Sequence, residues 1–91
     1  MSVSAPKQWA EYAQALGDSL QQSRKRAGMT QEELAHQAGL TRNHYQQIER
    51  GLWKLGSPSN PTVKVLARLA QVLDIEPGDL LPEVSALEWT D

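Results

Sequence analysis

The sequence predicts an all-α fold, a compact five-helix bundle, and three features carry that expectation. Apolar residues recur three and four apart through most of the chain, the spacing of one helical face. Threonines and glycines stand where such runs begin and end, as helix caps do. No segment alternates apolar and polar residues with the period of a strand. With 91 residues, 40% of them apolar, the chain suits one domain with a single small core. Its parts are expected to be a flexible leader over residues 1–8, a helical domain over 9–82 and an acidic tail over 83–91.

The leader ends near Pro6, a residue favoured at helix starts. Trp9, Ala13, Leu16, Leu20 and Ala27 then share one helical face. Gly17 is costly inside a helix, so the first helix of the bundle is expected to begin nearer Ala15, with an earlier, extended or kinked helix set against it. Arg24, Lys25 and Arg26, just before Gly28, place cations at that helix's C-terminus, where the macrodipole favours them. Thr30 is an N-cap, and Glu33 three residues later completes a capping box. Leu34, Ala35 and Ala38 give the short second helix its buried stripe, and Gly39 ends it. Thr41 caps a third helix over about 41–50, with Tyr45 and Ile48 inward and Gly51 past its end.

The loop LWKLGSPSNP follows, rich in turn residues yet carrying two leucines and a tryptophan. Thr62 or Asn60 caps a fourth helix whose apolar face is Val63, Leu66, Ala67, Leu69, Ala70 and Leu73. Pro77 opens a short fifth helix, Gly78 to Leu81, that Pro82 stops.

The second and third helices, joined by a short glycine-containing turn, make a helix-turn-helix. Their segments T-Q-E-E-L-A, A-G-L and Y-x-x-I-E-R-G, in that order and spacing, resemble the Cro and phage-repressor (XRE-type) helix-turn-helix regulators. Matches extend from Leu16-Gly17 to Leu80-Leu81, most of the chain. The resemblance implies a lambda-repressor-like DNA-binding bundle and a transcriptional regulator, expected to be a repressor. Such a protein reads a near-palindromic, double-stranded operator as a homodimer. The loop after Gly51 is longer and more apolar than is usual for this family.

Net charge is −2, which at first argues against a nucleic-acid partner. The distribution removes that objection. From Arg24 to Arg68 the chain carries +5, from Asp74 onward −6, and over the first 18 residues −1. A chain so divided can present a basic face whatever its total.

If Tyr45 and Ile48 face inward, the third helix turns Arg42, Asn43, Gln46 and Gln47 outward. The steps 42 to 46 and 43 to 47 set these side chains in two adjacent rows. Arginine pairs with guanine edges, asparagine and glutamine with adenine edges, in the major groove. The resemblance names Arg42, Asn43 and Gln47 as the main base readers, with His44 between faces and free to meet a phosphate or a thymine methyl. Gln31, at the start of the second helix, is implied to hold a phosphate and brace a base reader. Thr41 and its neighbouring amides would hold another phosphate. Lys54 would clamp the DNA backbone beyond the third helix, while Trp53 has two open places, on the DNA or in the core. Arg24 and Glu49 resemble a buried ion pair of this fold and so would be scaffold residues.

Leu80, Leu81, Val84, Leu87 and Trp89 are the candidate dimer surface, which Leu52, Trp53 and Leu55 of the loop could extend. The tail could instead fold back against Trp9. Two other readings keep the fold and change its use, one as an antitoxin that also binds a toxin and the other as a protein-interaction module. An enzyme is not expected. His36 and His44 lie on successive helices, cysteine is absent, and no phosphate-cradling glycine loop occurs. No cofactor or metal is expected. No membrane-length apolar run or signal-peptide pattern occurs, so the expected place is the cytoplasm of a bacterium, or of a phage's host.

Overall fold

A computed structural model describes residues 6–89. Helices α1 (Trp9–Arg26), α2 (Gln31–Gln37), α3 (Arg42–Arg50) and α4 (Val63–Leu73) form the bundle, with 3-10 turns at Lys54–Gly56 and Pro77–Asp79. Most of the leader, residues 1–5, lies outside the described residues.

Helices α2, α3 and α4 start where their threonine caps allow. The Thr30 hydroxyl oxygen accepts from the Glu33 amide (3.1 Å) while the Thr30 amide donates to the Glu33 carboxylate (3.0 Å), a complete capping box. Thr41 accepts from the His44 amide (3.0 Å), and Thr62, rather than Asn60, accepts from the Val65 amide (3.1 Å). The α2–α3 turn is closed by the Leu40 amide donating to Ala35 O (2.8 Å).

Two helices differ from expectation. The fifth helix is a single 3-10 turn: prolines at 77 and 82 bracket too few residues for an α-helical hydrogen-bond ladder. Glu76 and Asp79 cap that turn, which serves to drop Leu80 into the core. The first helix neither kinks at Gly17 nor begins near Ala15, but runs unbroken from Trp9. A Cβ at Gly17 would lie 2.3 Å from Glu49 O and 2.7 Å from Ile48 O. Gly17 therefore gives up helix propensity for contact between the backbones of α1 and α3. Gly51 completes the fit, with φ 72° and its Cα facing the Gln14 backbone, where a Cβ would come within 2.8 Å.

The core joins Leu16 and Leu20 of α1, Leu34 and Ala35 of α2, Tyr45 and Ile48 of α3, and Leu66, Leu69, Ala70 and Leu73 of α4, with Ala38 and Leu80 between elements. Val63 and Ala67 face solvent, which narrows the apolar face of α4 from the one expected. Leu80 is fully buried, so it leaves the candidate dimer surface. The tail returns to the start of α1, where the Glu88 amide donates to Lys7 O (2.8 Å). There the Trp89 ring stacks on Trp9 with centroids 6.2 Å apart.

Gly17→Ala is expected to destabilise the fold by about 1–3 kcal/mol, although alanine is the better helix former. Urea denaturation measures this; unchanged or greater stability would show that α1 and α3 can separate without loss.

Candidate nucleic-acid interface

Tyr45, Ile48 and Glu49 build α3 into the protein, whereas its first two residues, Arg42 and Asn43, are exposed. Glu49, buried in the last turn, accepts from Arg24 Nε at 2.7 Å and from Arg24 Nη2 at 3.4 Å. It also accepts from Gln31 Nε2 at 3.0 Å and from the Tyr45 hydroxyl. Arg24 Nη1 donates to Met29 O (2.9 Å), which ties in the α1–α2 connection. One carboxylate thus gathers donors from α1, α2 and α3.

Burial alone would raise the Glu49 pKa, but the bonds from Arg24, Tyr45 and Gln31 outweigh it and hold the group below the usual carboxylate range. The bond to Glu49 raises Arg24 further, against the effect of burial. Burial first, and the bond to Glu49 second, push the Tyr45 hydroxyl far up. All three groups are therefore fixed in charge at neutral pH.

On the other side of α3, Arg42 and Asn43 are exposed in the first turn, with Gln46 and Gln47 half-buried one turn on. Gln46 Nε2 donates to Gln31 Oε1 (3.3 Å), and Gln31 in turn donates to Glu49. Both ends of the Gln31 amide are engaged inside the protein, so it braces Gln46. Thr41 lies exposed at the N-cap. His44 is half-buried, its ring 5.7 Å from that of Trp53 at an interplanar angle of 60°. Trp53 is 43% exposed and so lies on the surface flank of α3, outside the core. Lys54 is exposed with Nζ 5.8 Å from the Trp53 ring centroid, within cation–π reach.

The structure therefore brings Thr41, Arg42, Asn43, His44, Gln46 and Gln47 onto one helix, with Lys54 beyond its end. Leu81, Val84, Leu87 and Trp89 lie in the turn-and-tail segment that returns to α1. Two residues passed over in the sequence also lie beside α3. Asn60 and Thr62, with His44 and Trp53, line a cleft of about 290 Å³ on its flank. Their only signal in the sequence was their value as helix caps. Among the described residues, no three side chains of the metal-ligating types come together, and no helix is long and apolar enough to cross a membrane.

Comparison with known proteins agrees with this geometry. The chain is 32% identical over 74 residues to the HTH-type transcriptional regulator SinR of Bacillus subtilis (strain 168), an alignment covering 81% of this chain and 62% of SinR. The chain thus spans less than two thirds of that relative. Among solved structures it is similar to the restriction-modification controller protein C.AhdI from Aeromonas hydrophila, with TM-score 0.67 and 33% identity, covering 76% of this chain and 96% of that one. SinR in complex with DNA gives TM-score 0.63 and 32% identity, covering 71% and 95%.

Acid should expose the role of Glu49. Because its folded pKa is depressed, its stabilising contribution is complete above the unfolded value of about 4.3 and is lost as pH falls through the folded value. Thermal melts should therefore be flat from pH 7 to 5 and fall below about pH 4, with a smaller fall in Glu49→Gln. Glu49→Ala is expected to cost about 3–5 kcal/mol because it strands Arg24. A melting loss of only a degree or two would contradict the buried pair. With the helix-turn-helix family HTH_3 matching residues 20–80, over a two-helix unit locked by a buried ion pair, the chain belongs to the HTH_3 helix-turn-helix family.

Proposed function

We propose that this protein is a sequence-specific regulator of transcription, a repressor, that lays α3 in the major groove of double-stranded DNA. The observation that carries the reading is the division of α3. Its C-terminal half is fixed by Glu49, while Arg42 and Asn43 stand free at the N-terminal end that helix-turn-helix proteins point at base edges. Arg42, Asn43 and Gln47 read bases, Gln46 is aimed by its bond to Gln31, and Thr41 and His44 lie against the phosphates. Lys54 neutralises a phosphate beyond the helix end. SinR, the similar regulator, binds DNA in its solved complex, which supports the same role for this chain.

Two copies are proposed to pair through Leu81, Val84, Leu87 and Trp89, setting half-sites about 34–36 Å apart on a near-palindromic operator. Leu81, Val84 and Trp89 are exposed apolar residues in a segment rich in acids, so they favour a protein over DNA. The same segment would serve an antitoxin's toxin or another protein partner. SinR has also been solved in complex with the protein SinI, so a second protein is a reasonable alternative occupant. The proposed place of action is the cytoplasm of a bacterium or of a phage's host.

Selection of bound duplexes from a random pool at near-physiological salt tests the reading. An enriched inverted repeat is the expected result, and no enrichment from a folded protein would reject it. On the selected site, Arg42→Ala should lose about 1–3 kcal/mol and relax preference at particular base pairs. Equal loss on every duplex would remove Arg42 from the base readers. Lys54→Ala should weaken all duplexes alike and make the salt dependence shallower by about one phosphate's worth.

A further inference from the structure

Leu55 breaks two local rules at once. It is fully exposed, and its backbone is left-handed (φ 58°), a conformation rare for a branched side chain. Gly56 is also left-handed (φ 75°). The pair occupies the centre of a tight turn in which the Ser57 amide donates to Lys54 O at 3.2 Å. Turns of this hand favour Asn, Asp or Gly where Leu55 stands.

The hairpin that presents Leu55 is well held. The Trp53 amide donates to Ser57 O (2.7 Å), the Ser57 hydroxyl donates to Lys54 O (2.8 Å), and Leu52 pairs with Pro58. Its base is fastened to α3 by the Leu52 amide donating to Gln47 O (3.0 Å) and by Trp53 against His44. A leucine that buries nothing in its own chain, held in a conformation it disfavours, indicates a role outside the chain.

We propose that Leu55 is an apolar probe that packs against the deoxyribose edges of the minor groove next to the major groove entered by α3. This rests on the DNA-binding reading above. A helix in the major groove leaves it across a sugar–phosphate strand, and the groove beyond that strand is the minor one. The hairpin follows directly on the C-terminal end of α3, and so arrives at that strand. Lys54 meets the phosphates there, and Leu55 presents an apolar side chain to the groove, against the sugars and without the wedging between base steps by which leucine and isoleucine kink DNA in other minor-groove proteins. The hairpin lies within the +5 portion of the chain, which favours DNA over a second protein as the occupant.

The test uses the full chain and its Leu55→Asn and Leu55→Gly variants on the selected duplex. Both replacements suit the turn, so each variant should melt at or above the wild-type temperature. Affinity is expected to fall about five- to tenfold. The slope of log affinity against log salt should stay unchanged, because an apolar contact displaces no counterion. Preference in the base pairs flanking each half-site should weaken as well. Wild-type affinity in both variants would overturn the assignment and leave the DNA-binding reading standing. A wild-type protein that binds no duplex would overturn both. A loss accompanied by a shallower salt slope would also overturn it, since the hairpin would then act by placing Lys54. Altered sedimentation mass with unchanged DNA affinity would overturn it too, and would assign Leu55 to a contact between copies.

Discussion

The carboxylate of Glu49 is the constraint on which the arrangement depends. A charge removed from water must be met by donors with good geometry, and an unmatched one is far more costly than a matched pair is stabilising. Here Arg24, Gln31 and Tyr45 supply those donors from three helices. The condition is satisfied only when α1, α2 and α3 are all in place. An apolar cluster of the same size would tolerate small slides and rotations between helices. The ionic cluster does not, and this fixes the direction of α3 more sharply than the core volume does.

The glycines make this arrangement reachable. Glu49 sits at the point where α1 and α3 come so close that backbone faces backbone, with Gly17 on one side and Gly51 just past the other. A Cβ at either position would meet the backbone of the facing segment and push α3 away from α1, across which Arg24 closes on Glu49 at 2.7 Å. Ion pair and close packing are thus one feature: the packing sets the distance, and the pair sets the register.

The fixed half of α3 gives its other half a firm base. Recognition of a ligand demands side chains held to within about half an ångström of their productive geometry, and Gln46 shows how this fold orients a surface side chain. Its amide is oriented by Gln31, which Glu49 orients in turn. The arrangement converts a core ion pair into directional control at the surface. The same separation appears in the charges, with the basic middle of the chain carrying the proposed reading face and the acidic tail folded back on the start of α1.

Much of this was legible in the chain itself. Periodicity and caps placed α2, α3 and α4 closely, because Thr30, Thr41 and Thr62 satisfy local amides that no distant contact needs to supply. The polar row from Arg42 to Gln47 also follows from sequence, since Tyr45 and Ile48 leave it one face. What sequence misjudged was set by tertiary contact. Gly17 looked like a break because propensity counts the lost Cβ only as a cost, and the gain lies on another helix. Leu80 looked like a free surface residue because nothing local reveals that a 3-10 turn swings it into the core. Trp53 had two open places until folding set it against His44 on the flank of α3, outside the core. By itself the sequence determined α2, α3 and α4, their threonine caps and the composition of the outer face of α3, all products of contacts within a few residues. Only the tertiary structure decided which polar groups are spent inside the protein and which remain for a ligand, because that depends on neighbours brought together from distant parts of the chain.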